Sequence, residues 1–178
     1  MAAGSQQTLT DRGGALADRR PRQAPRAQAA WRVELRDGVA ERSERELAPA
    51  AGDLWELPFS GGDLSELRGL VANWAAREAM PFEHAEDLVL AVHEIAANSI
   101  RHGGGSGTLR LWREGESLTC EIRDAGYIAD RSVGQVKPTG GPDCGRGVWI
   151  AQQLCDLVQI GSGPEGTVIR LHMRLGGG

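Results

Sequence analysis

Apolar residues recur along this chain in two rhythms, one of three to four residues and one of two, and the switches between them mark the elements. Leu64, Leu67, Val71, Trp74 and Ala75 keep helical spacing and predict a helix to about Ala79. Asp63-Leu-Ser-Glu66 at its start reads as an Asp-led capping box, in which side chains satisfy orphan amides, and Pro81 punctuates its end. A second helix is predicted from about Glu83 to Arg101. Leu88, Val92, Ile95 and Ser99 form its apolar stripe, and Val89, Ala96 and Ile100 widen it. Asp87, Glu94, Asn98 and Arg101 share a different side, and Gly103-Gly104-Gly105 stops the helix. A third helix, over 147–156, uses Val148, Ala151, Leu154 and Cys155.

The period-two segments fall between and around these helices. Residues 54–59 read as a short strand, with Pro58 marking an edge or a strand end. Segments 108–113 and 118–123 alternate on either side of Glu114-Gly115-Glu116, which predicts a hairpin. Segments 157–160 and 168–174 predict a second hairpin around 161–166. The order is strand, two helices, two strands, helix, two strands. That is an α+β chain, expected as a two-layer sandwich: a mixed, mostly antiparallel sheet covered on one face by three helices. The polar, glycine-rich stretch 124–146 has no period, and its length marks it as more than a connector.

Upstream the pattern is poor. Residues 1–30 hold almost no large apolar side chain and carry a formal charge of +3, from five arginines and two aspartates. Such a segment buries too little to offset its ordering entropy. Trp31, Val33 and Leu35 alternate with charged residues before Asp37-Gly38, as in a short strand, and 41–47 reads as one or two charged helical turns. From residue 49 the formal charge is −6, from eleven basic and seventeen acidic residues. The expected organisation is a poorly ordered extension over 1–48 and one domain over 49–176.

The whole chain has 178 residues and a net charge of −4, with no basic stripe. Nucleic acid is therefore not the expected partner. No apolar run approaches the ~18 residues of a membrane span, and no apolar signal core follows the first arginines, so a cytoplasmic protein is expected. Cys120, Cys144 and Cys155 have no metal spacing and lie in or beside apolar patterns, which predicts reduced structural thiols.

The candidate chemistry sits at four places. Glu94 and Asn98 are four apart, so a carboxylate and a carboxamide leave one helix face a turn apart. That pair suits a hard cation carrying phosphate ligands, although solvated helix faces show it too. Gly145-Arg146-Gly147 precedes an apolar-patterned helix whose first amides and dipole attract an anion. Asp124-Ala125-Gly126 closes a strand, and Gly166-Thr167 opens another. Each alone fits an ordinary turn or helix start; together, in this order, they are specific.

In that order the sequence resembles the GHKL (Bergerat-fold) ATP-binding superfamily, in its bacterial anti-sigma-factor serine/threonine kinase branch. LVLAVHEIAANSIRHG (88–103) is similar to the N box and EIRDAG (121–126) to the first glycine box. CGRGVWIAQQLCD (144–156) is similar to the second glycine box and lid, and GPEGTVIRLHM (163–173) to the closing strand pair. The resemblance implies that Asn98 coordinates Mg²⁺ bridging the phosphates of ATP, and that Glu94 is the general base for a serine hydroxyl. It implies that Asp124 accepts from the adenine amino group with Thr167 at the same edge, and that Gly126 makes room for the purine. Gly145, Arg146 and Gly147 would face the triphosphate, with Arg101 and His102 lining the nucleotide. The implied partners are an anti-sigma-factor antagonist protein, phosphorylated on Ser or Thr, and a sigma factor, with a homodimer admitted. A non-catalytic nucleotide-sensing or sigma-binding module of the same fold is the alternative. Where the first glycine box usually carries a second glycine, this chain has Tyr127-Ile128. No phospho-acceptor histidine helix precedes the domain, which disfavours a two-component kinase.

Overall fold

In a computed structural model the described residues are 30–35, 40–43, 54–130, 132–135, 137 and 146–176, the first two segments as backbone only. Five strands carry the domain: β3 (Trp55–Ser60), β4 (Ser106–Glu114), β5 (Ser117–Asp124), β6 (Leu157–Gly163) and β7 (Gly166–Arg174). Two earlier strands, β1 (Ala30–Leu35) and β2 (Ala40–Ser43), extend the sheet to the order β2-β1-β6-β7-β5-β4-β3. Every pairing among these strands is antiparallel.

Three helices, α1 (Leu64–Arg77), α2 (Phe82–His102) and α3 (Arg146–Leu154), make the second layer. The two-layer α+β sandwich is therefore as expected, its sheet wholly rather than mostly antiparallel among the described strands, with β3 and its Pro58 at one edge. The strand read over 31–35 is β1. The helical turns expected over 41–47 are not found where the chain is described: Ala40–Ser43 is a strand paired with β1, and 44–47 lie outside the described residues. A four-residue charged segment has little helical preference of its own, and pairing with a neighbouring strand satisfies its backbone groups instead.

α2 lies centrally, between α1 and α3 and over β4, β5 and β7. Its stripe is buried as read: Leu88, Val92, Ile95, Ala96 and Ser99 are all 1% exposed or less. They meet Leu109, Leu111, Cys120, Ile122 and Leu171 from the sheet. Each such aliphatic side chain contributes about 1.5–3 kcal/mol of burial. Cys120 and Cys155 are buried, and burial, then the neighbouring Cys155, pushes the Cys120 thiol up; Cys144 lies outside the described residues. Trp74, too, is a core residue.

The capping box does not form. Asp63 turns back to accept from the Ser60 amide at 2.7 Å and the Ser60 hydroxyl at 2.9 Å, and gives α1 no side-chain cap. A tight turn out of β3 offers that carboxylate a nearer pair of donors than the helix amides do.

The face of the sheet away from the helices is polar but well covered. Glu121, 1% exposed, accepts from Arg123 Nε and Arg170 Nε at 2.5 Å each, and Arg170 lies over the Trp112 ring at 5.2 Å. Beside them His172 meets Thr119 Oγ1 through Nδ1 (3.0 Å) and Gln159 Oε1 through Nε2 (2.9 Å). The amide oxygen can only accept, so Nε2 donates to it, while the Thr119 hydroxyl can serve Nδ1 as donor or acceptor. Burial, helped by the Arg170 cation, pushes His172 down to about 4. The unfolded chain protonates this histidine near 6.5 while the folded one does not, so its stabilisation is complete above about pH 6.5 and drains away towards pH 4. We expect urea midpoints to fall over that interval by the equivalent of about 3 kcal/mol, and His172→Asn to flatten the dependence. Equal slopes in the two proteins would contradict the assignment.

Candidate functional site

The end of α2, the end of β5, the start of β7 and the start of α3 converge. What brings them together is a set of close approaches that only glycine permits. At Gly103 an added Cβ would collide with the Asp124 side chain, and at Gly126 it would come within 2.8 Å of Gly103 Cα and of the His102 carbonyl. The Ala125 amide donates to Gly103 O at 3.1 Å. The strand exit is thus laid directly on the helix end.

Asp124 is held from two sides. Ser99 Oγ donates to Oδ2 at 2.5 Å, and the Gly126 amide donates to Oδ1 at 2.8 Å. Thr167 stands opposite Asp124 in the β5–β7 register, and its hydroxyl donates to Gly126 O at 2.9 Å. Ser162 Oγ lies 2.9 Å from Thr167 Oγ1 and accepts from the Ile128 amide at 2.8 Å.

A second cluster lies one turn back along α2. Residues four apart on a helix are rotated by about 40°, so Glu94 and Asn98 leave α2 on one side. α3 begins against that side: a Cβ at Gly147 would come 2.5 Å from Asn98 Nδ2 and 3.2 Å from Glu94 O. The first amides of α3 have no helical partner, and the helix start is positive. Arg101 Nη2 donates to Asn98 Oδ1 at 2.9 Å, and Arg146, Arg101 and His102 are exposed. Among the described residues, the Glu94 side chain has neither ion pair nor hydrogen bond.

Of the ten residues singled out in the sequence, Glu94, Asn98, Arg101 and Gly147 therefore fall in one cluster and Asp124, Gly126 and Thr167 in the other. His102 and Ser99 join the two along a single helix. Arg146 opens α3, and Gly145 lies outside the described residues. Ser99 and Ser162 were not among the ten. Ser99 reads from its spacing as core, which its burial matches, and the one local hint for Ser162 is its place across the second hairpin from Thr167.

The donor set fits a magnesium ion held mainly by phosphate. No group of three or more His, Cys, Asp or Glu side chains gathers for a metal among the described residues. A carboxamide oxygen can serve as a protein ligand to a cation that keeps several waters, and the helix amides beside it suit the phosphate oxygens rather than the ion. That oxygen accepts from Arg101. A groove of about 420 Å³ lies elsewhere, between α1 and β3; it includes none of these residues and is not this site. No helix among the described residues is long and apolar enough to cross a membrane.

No curated protein matches the chain. The family model of the histidine kinase-like ATPase domain matches residues 57–173, from within β3 to within β7. That span holds both clusters and well over half of the chain, so the chain belongs to the histidine kinase-like ATPase family, whose domain implies ATP binding.

Proposed function

We propose that this protein is a bacterial anti-sigma regulatory kinase: it binds Mg-ATP, transfers the γ-phosphoryl group to a serine or threonine of an antagonist protein, and so controls a sigma factor. The observation that supports this best is the seating of Gly147 against the Asn98 side chain and the Glu94 carbonyl, which puts the start of α3 against the stretch of α2 that carries this carboxamide and carboxylate. Asp124 and Thr167 would take the adenine edge, Asn98 the magnesium ion, and Arg101, His102, Gly145, Arg146 and Gly147 the triphosphate. Bound magnesium would supply charge neutralisation at the phosphates. Glu94 would accept the proton of the attacking hydroxyl, since phosphoryl transfer asks mainly for positioning and electrostatics. Phosphorylation adds about −1.5 to −2 charge to the antagonist, and repulsion from a chain of net charge −4 would favour its release.

Titration with ATP, with and without magnesium, is the direct test. Wild type should be stabilised by about 2.7 kcal/mol at 100 times Kd, a rise in Tm of several degrees. Asn98→Ala should lose the magnesium-dependent part. A melting curve indifferent to millimolar Mg-ATP would remove the proposal. ATP binding without transfer to any candidate antagonist would leave the non-catalytic module.

A further inference from the structure

The hydrogens around Asp124 and Thr167 run in one direction. A threonine hydroxyl has one hydrogen, and here it goes to Gly126 O, which can only accept. The contact between Ser162 and Thr167 must then be donated by Ser162. Ser162 in turn accepts the Ile128 amide. The chain is Ile128 N–H to Ser162, Ser162 to Thr167, Thr167 to Gly126 O. Thr167 is left with a lone pair and nothing to give. Asp124 is in the same condition: the single Ser99 hydroxyl hydrogen goes to its carboxylate at 2.5 Å in preference to Ile95 O at 3.2 Å, and the Gly126 amide donates to its other oxygen.

We infer that Ser162 and Ser99 are positioning residues that make this edge of the site a pair of pure acceptors, and thereby select a purine bearing a 6-amino group over one bearing a 6-oxo group. The inference rests on the proposal that Asp124 and Thr167 face the base. An amino group brings two hydrogens to two waiting acceptors. A 6-oxo group brings lone pairs against lone pairs and leaves buried acceptors unpaired, a mismatch that hydrogen-bonding sites reject strongly. Neither serine touches the base in this scheme. Ser162 commits the Thr167 hydroxyl hydrogen to Gly126 by filling the lone pair behind it, and Ser99 holds the carboxylate from turning. Without Ser162, the threonine hydroxyl is free to rotate its hydrogen towards a 6-oxo group.

The test compares Kd for ATP and inosine triphosphate, which differ at the purine C6 position, by calorimetry with magnesium present. Wild type should prefer ATP by on the order of 100-fold. Ser162→Ala should cut that preference by about tenfold, mainly by improving inosine triphosphate binding, and Ser162→Thr should restore it. Ser99→Ala should weaken ATP about tenfold and inosine triphosphate less. A merely structural role for the serines would weaken both nucleotides alike. Should Ser162→Ala fail to fold, Ser162→Cys, a poor donor of similar shape, gives the same reading. A wild-type preference that survives in the Ser162 and Ser99 variants overturns the inference and leaves the nucleotide site standing. A wild type that binds neither nucleotide, or both equally, overturns the assignment of Asp124 and the inference with it.

Discussion

Glu94→Gln is expected to bind Mg-ATP within about twofold of wild type and to transfer phosphate about 10²–10⁴ times more slowly, the usual contribution of a positioned general base. The substitution keeps shape and removes the proton acceptor. Binding should survive because what seats α3 against α2 is Gly147 on the backbone of Glu94 and the side chain of Asn98, not the Glu94 carboxylate. That carboxylate has no hydrogen-bonding partner among the described residues, so its loss leaves no buried cation stranded. Single-turnover transfer from labelled ATP to an antagonist protein, beside an equilibrium titration of nucleotide, separates the two quantities. Transfer at the wild-type rate would dismiss Glu94 as the base; loss of both together would make it part of the nucleotide cradle instead.

The largest stability effect should come from the opposite face of the sheet. Glu121→Ala leaves Arg170, 7% exposed, and the flanking Arg123 and Arg110 without the carboxylate they surround. Breaking a buried pair from one side costs about 3–5 kcal/mol, because the surviving charge stays buried after losing its carboxylate. We expect Tm to fall by roughly 10 °C and Glu121→Gln to fall part of the way, since it can still accept but not neutralise. Burial alone would push the Glu121 carboxyl up, but the Arg123 hydrogen bond and the charges of Arg170 and Arg123 outweigh it and hold it below its ordinary value. The stabilisation is therefore present above the unfolded carboxyl's pKa and is lost as pH falls through the lower folded value, on the acid side of the His172 effect. A change in Tm of only a degree or two would show that water already reaches the arginines.

Much of the secondary structure was legible because its cause is local. The stripe of α2 runs at three- and four-residue spacing, and the structure extends the predicted 83–101 by one residue at each end. α3 likewise begins at Arg146 and ends at Leu154, two residues short of expectation. The β4–β5 and β6–β7 hairpins carry their turns within the sequence, with Gly115 and Gly166 at positive φ. The same logic misled at Asp63. A local motif names the donors an acceptor can reach but does not choose among them, and the turn out of β3 placed the Ser60 amide and hydroxyl nearer. It misled again at 41–43, where a weak local preference yielded to pairing with β1.

Glu94, Asn98, Asp124 and Gly147 could be picked from the chain because chemical type and spacing are properties of the chain. Their grouping into two adjoining clusters could not, since residues 98 and 147, or 124 and 167, meet only after distant segments close upon one another. Periodicity specified which face of each helix and strand is apolar, for that requires only the geometry of one element. Folding alone settled that β5 lies between β4 and β7 and that Gly103 lies against the Asp124 side chain. Such contacts depend on long loops being closed by the whole core, and no stretch of neighbouring residues contains that information.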